Sequence, residues 1–134
     1  MRRVFTLDEA GEALEEVRPL AEEMVEGRRA LLDLQAEREQ LLAPVPGNGG
    51  GIDPAAAAAL HRRIDDQSRR VARCVARIHE LGALVKGLDD GLVDFPARGP
   101  SGDVLLCWKV GEPEIAFWHG PEEGFAGRRP LPFD

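Results

Sequence analysis

The residue best placed for chemistry is His119. It closes the aromatic run Phe117-Trp118-His119 and follows Glu112 and Glu114 along the same segment, with Cys107 a short distance before them. An imidazole, a thiol and carboxylates brought together can bind zinc or iron, or form an acid–base pair. The ordinary alternative is a strand-end histidine hydrogen-bonded to backbone. No Cys-x-x-Cys or His-x-x-x-His spacing occurs in the chain, so spacing alone assigns no metal and no cofactor. Cys107 would serve as a nucleophile if His119 lay within hydrogen-bond reach and lowered its pKa. Inside Leu105-Leu106-Cys107-Trp108 it reads instead as a small buried hydrophobe. Asp94 stands in an otherwise apolar run, Leu92-Val93-Asp94-Phe95, and needs a partner if it is buried. Arg128 is the expected partner, or an anion clamp. Asp89 and Asp90, beside Gly91, lack calcium-loop spacing and read as turn formers.

Reach limits how these groups combine. Glu112 and Glu114 bracket Pro113, while His119 lies five residues beyond Glu114, roughly 17 Å along an extended strand. Two separate clusters are therefore expected. One holds His119, Trp118 and Arg128, and the other holds Glu112 and Glu114. Neither cluster is assigned a catalytic role.

The elements that must position these residues follow from periodicity. Thr6-Leu7-Asp8-Glu9 fits a capping box, with Phe5 as the staple residue against Ala10. Ala10, Leu14, Val17, Ala21, Met24 and Leu31 then lie on one helical face. The spacing predicts a first helix within residues 1–43, with a kink or break near Pro19. Residues 44–52, rich in glycine and proline, read as a flexible linker and not a phosphate cradle, because no Lys-Ser/Thr follows the glycines. Asp53-Pro54 restarts a helix over 53–82, with Leu60, Ile64, Val71, Val75 and Ile78 in period and Gly82 as its C-cap. The two helices would be about 54 and 45 Å long. The first carries eleven acids and the second six arginines. Opposed charges across a short connection favour an antiparallel, coiled-coil hairpin.

Residues 83–134 hold fourteen Gly and Pro and six of the seven aromatic residues, a mixture that suits short strands and turns. Ala83–Lys86, Gly91–Phe95, Asp103–Val110 and Glu114–His119 are the expected strands, the second ending at Pro96. The last two pair around Gly111-Glu112-Pro113, with Cys107 facing Phe117. Trp108, Leu106 and Trp118 would share one face, and Cys107, Ile115, Phe117 and His119 the other. The remaining tail reads as irregular. The fold class is α+β: a long antiparallel two-helix hairpin followed by a small antiparallel β-sheet, forming a single domain over residues 1–134.

Composition narrows the function classes. The chain has 134 residues, 43% hydrophobic and 31% charged, with a formal charge of −7. That charge disfavours general affinity for nucleic acid or an anionic membrane. The arginine stripe on the second helix, at 62, 69, 73 and 77 with 63 and 70 beside it, reads as pairing with the acids of the first helix or of a partner. No apolar run is long enough for a transmembrane helix or signal peptide. Two cysteines are too few for a disulfide framework, so a reduced, cytoplasmic setting is expected.

The runs Val85-Lys86-Gly87-Leu88-Asp89, Gly91-Leu92-Val93-Asp94-Phe95-Pro96, Leu106-Cys107-Trp108-Lys109, Gly111-Glu112-Pro113-Glu114-Ile115, Trp118-His119 and Gly124-Phe125-Ala126-Gly127-Arg128 resemble a bacterial family, domain of unknown function 2203. Phe5-Thr6-Leu7-Asp8-Glu9-Ala10 and Val17-Arg18-Pro19-Leu20 are similar to it as well. The resemblance implies no activity and no catalytic residue. The leading expectation is a non-enzymatic interaction module, a homodimer through its helices, because Leu31, Leu34 and Leu41 against Leu60, Ile64 and Val71 need more cover than one hairpin offers. The rival is a small-molecule or metal-dependent enzyme with a site on the sheet around His119, Glu112, Glu114, Asp94 and Arg128. An RNA-associated hairpin using the arginines is a third.

Overall fold

Thr6 caps the first helix as expected: its hydroxyl accepts from the Glu9 amide, and the Glu9 carboxylate accepts from the Thr6 amide. Those hydrogen bonds hold the Glu9 carboxyl below its usual range. The computed structural model describes residues 3–43 and 51–133, so the expected linker lies largely outside the described residues. Helix α1 (Leu7–Leu42) runs through Pro19 without a break. Pro19 is exposed, which leaves the carbonyl that lost its helical partner on the water side. Helix α2 (Pro54–Glu80) starts with Asp53 as cap and Pro54 at its first turn. It ends at Glu80 with Leu81 as its C-cap, and Gly82, the expected cap, lies one residue beyond at a φ of 98°, the left-handed conformation that favours glycine after a helix.

The two helices pair antiparallel, as their ion pairs show. Arg63 meets Glu37, Arg70 meets Glu23 and Glu26, and Arg77 meets Glu16. Half of the arginine stripe is thus engaged by α1, as expected. Gly27 lets the helices close in, since a Cβ there would sit 3.0 Å from Val71. Farther out, Leu34, Leu60 and Ile64 are buried against one another with Leu31 and Leu41 alongside. The distal stripe is therefore covered largely within one chain, and the packing argument for a second hairpin weakens accordingly.

Beyond Gly82 the chain forms an antiparallel meander of five strands in sequence order: β1 (Leu84–Val85), β2 (Val93–Gly99), β3 (Gly102–Trp108), β4 (Phe117–His119) and β5 (Arg129–Pro130). Four strands were expected. The fifth comes from the tail, which is ordered by a 3-10 turn at Phe125–Gly127 and pairs Trp118 with Arg129. Strand β2 also passes through Pro96 instead of ending there. The Pro96 carbonyl accepts from the Phe5 amide, so the missing N–H lies on that same edge and no bond to β3 is lost. The connection before β4 is longer than a three-residue loop, because pairing begins only at Phe117. The expected register of Cys107 with Phe117 is the one observed.

One sheet face covers the helices. Val93, Phe95, Leu106 and Trp108 join Phe5, Val17, Met24 and Ile78 in a single core. Each such side chain is worth roughly 1.5–3 kcal/mol of burial. Ile115, expected on the opposite face, belongs to this core too, since it precedes the paired part of β4 and the strand alternation does not reach it. No helix among the described residues is long and apolar enough to cross a membrane.

Candidate metal centre

The outer face of the sheet carries the chemistry. Alternation along β2, β3 and β4 turns Asp94, Cys107 and His119 to the side away from the helices. Register places Asp94 directly across from Cys107, and His119 across from Leu105, one step along. All three side chains are buried. One ligand atom from each, His nitrogen, Cys sulfur and carboxylate oxygen, lies within 4.8 Å of the other two. No other such group occurs among the described residues.

Hydrogen bonds orient the ring. His119 Nδ1 lies 2.8 Å from the Gly120 carbonyl oxygen. A carbonyl only accepts, so Nδ1 carries the hydrogen and donates it. Nε2 is the nitrogen presented to Asp94, 3.1 Å from each carboxylate oxygen. A lone pair facing a carboxylate at that distance requires one proton between them. Metal-ligating histidines commonly take this form, with the far nitrogen anchored on a carbonyl and the near one turned to the ion.

Cys107 is held as a thiol. Burial, reinforced by the charge of Asp94, pushes its pKa up to about 12. Both His119 nitrogens are engaged elsewhere, so His119 is not placed to take the thiol proton, and the thiol's own hydrogen bond goes to Asp94. The nucleophile arrangement is therefore not built here. Cys74 is core, as expected, and burial pushes its thiol up as well.

The sequence-derived partners rearrange. Asp94 meets His119 and not Arg128. Arg128 pairs with Glu112 and lies over the rings of Phe117 and Phe125. Glu112 also accepts from the Lys109 amide. The separation of His119 from the Glu112 end is as expected, but Arg128 falls in the Glu112 cluster. Trp118 faces the opposite way, against Phe133 and beneath Arg129. Glu114 is exposed. Asp90 caps the Leu92 amide and Asp89 pairs with Arg28, which are turn and surface roles.

A cleft of about 290 Å³ reaches Asp94 and His119 from solvent. Its walls are Leu92, Leu105, Pro121 and Phe125, with Lys86 and Glu123 also lining it. Sequence reading missed this cleft. Its lining comes from four separate segments, and of these residues only Asp94 and His119 stand out in the sequence.

Comparison with curated proteins and with solved structures finds no match. The model of a family described as an uncharacterized conserved protein, DUF2203, matches residues 3–131. The chain belongs to the DUF2203 family.

Proposed function

We propose that the outer sheet face is a mononuclear divalent-metal centre, with Asp94, Cys107 and His119 as protein ligands and the cleft as the approach for a small molecule. The observation that carries this reading is the convergence of three buried donor atoms within 4.8 Å. In a tetrahedral zinc site, bonds of about 2.0–2.3 Å set neighbouring ligand atoms roughly 3.3–3.8 Å apart. The cluster reaches that geometry with side-chain adjustments on the order of 1 Å. The mixed nitrogen, sulfur and oxygen donor set suits zinc, with ferrous iron next. Three protein ligands with a fourth side open to a cleft is the pattern of catalytic sites, whereas structural zinc sites are closed by four. A divalent ion held there would supply Lewis acidity to a molecule entering the cleft.

Elemental analysis of untagged protein, together with titration by cobalt(II), tests the reading. The expected result is about one metal per chain and a thiolate-to-cobalt absorption band that disappears in Cys107→Ser. Less than a tenth of an equivalent of metal after growth with added zinc, with no thiolate band, would refute it.

Self-association through the helices is the second reading. Its support is Leu32 and Leu42, large apolar side chains left 44% and 54% exposed on α1. Light scattering should give twice the 14.6 kDa chain mass. The chain mass itself at tens of micromolar would sink this reading.

A further inference from the structure

The chain holds only two lysines, Lys86 and Lys109; every other full-time cation is an arginine. Both lysines belong to the outer sheet face. The Lys86 amide donates to the Leu92 carbonyl at 2.8 Å. That bond extends the β1–β2 register by one residue and turns Lys86 to the same side as Leu92 and Asp94. Lys86 lines the cleft. The Lys109 ammonium sits 5.0 Å from the ring centre of Phe125, another wall residue. Neither ammonium has a carboxylate partner within salt-bridge distance among the described residues. The nearby charges are already used, Arg128 by Glu112 and Arg129 by Glu123.

From this arrangement we infer that the cleft binds a small organic oxyanion, a carboxylate or phosphate on an apolar body, with Lys86 as the residue that selects for its charge. The inference rests on the metal-centre reading. Asp94 and a Cys107 thiolate would neutralise a divalent ion, so attraction for an incoming anion falls to the uncommitted lysines. A lysine ammonium is a compact point charge with three donors and serves single oxyanions well. The apolar body fits between Leu92, Leu105, Pro121 and Phe125. Phe125, 42% exposed at the rim with Arg128 and Lys109 against its ring, adds an apolar edge there. At about 290 Å³ the cleft stands at the small end of ligand pockets, which limits the molecule to about the size of a single substituted ring.

Cobalt-loaded full-length protein is titrated calorimetrically with benzoate, phenyl phosphate and the neutral benzamide, in wild type, Lys86→Gln and Lys109→Gln. At least one anion should bind tenfold or more tighter than benzamide. Lys86→Gln should lose about tenfold in that affinity while the thiolate-to-cobalt band stays unchanged. The tighter anion identifies the headgroup as carboxylate or phosphate. Equal binding of benzamide and both anions, or an unchanged affinity in Lys86→Gln, overturns the inference while the band keeps the metal reading intact. Absence of the band overturns the metal reading and this inference with it.

Discussion

Replacing Asp94 by alanine removes one partner of a pair whose side chains are only 2% and 3% exposed. The imidazole left behind keeps its bond to Gly120 and loses the one at Nε2. Breaking such a pair from one side costs about 3–5 kcal/mol. Domains of this size hold roughly 5–15 kcal/mol in total, so the variant should fold with much of its margin gone. At about 3–4 °C per kcal/mol for a chain of this length, the midpoint should drop by roughly 10–20 °C. Asp94→Asn should lose less, about 1–2 kcal/mol, because its amide can donate to a neutral Nε2. Urea unfolding of metal-free protein measures both, and zinc then distinguishes a ligand from a purely structural residue. An ion supplied at a hundred times its Kd raises stability by about 2.7 kcal/mol. Wild type should show that gain and Asp94→Ala should not. An alanine variant within about 1 kcal/mol of wild type in metal-free buffer would refute the reasoning about the pair, whatever zinc does.

Four further outcomes follow from single features. In metal-free protein Cys107 should resist thiol reagents at pH 8 until the chain unfolds, whereas fast labelling of the folded form would contradict its burial. Its folded pKa of about 12 lies above the ordinary 9.0, so its contribution is complete below pH 9. It is lost between pH 9 and 12 at about 1.4 kcal/mol per pH unit, and Cys107→Ser should flatten that alkaline slope in chemical denaturation. Gly91 sits at a φ of 69°, and a Cβ there would run into Val110 and Val25. Gly91→Ala should therefore cost about 2–4 kcal/mol, strain and overpacking together, and a loss under 0.5 kcal/mol by calorimetry would contradict the close approach of α1 to this turn. Thr6→Ala should cost about 1 kcal/mol through loss of the cap, read as a lower midpoint in urea with an unchanged slope.

Much of the architecture is local and was therefore legible. The Thr6 box, the Asp53-Pro54 start, the turn glycine at 82 and the helical period depend on residues within one or two turns of each other. The acids of α1 and the arginines of α2 announced their pairing because charge is readable without coordinates. The alternation of Leu106 with Cys107 also separated the two sheet faces correctly, since a strand's period is two. Pro96 misled because a proline ends a strand only when its missing N–H faces a partner strand, and which edge it faces is a tertiary fact. The tail strand was invisible for a related reason. Arg129–Pro130 has no strand pattern of its own and pairs because Trp118 and Phe117 offer an open edge.

The site divides along the same line. The sequence made Asp94 a residue in need of a partner and His119 a residue in search of a role. It gave no means of joining them, because ligand spacing is diagnostic only when the ligands share one element. Here each of the three donors stands on its own strand, and lateral register across β2, β3 and β4 brings them within 4.8 Å. An arginine's long arm can span to Asp94 from many positions, but the chain's path into β5 sets Arg128 beside Glu112. Composition and period thus determined the helices, their facing charges and the two faces of β3, though not the side taken by Ile115 or the burial of Asp94. Long-range strand pairing alone decided which side chains meet, because contact between distant residues depends on how the whole sheet stacks.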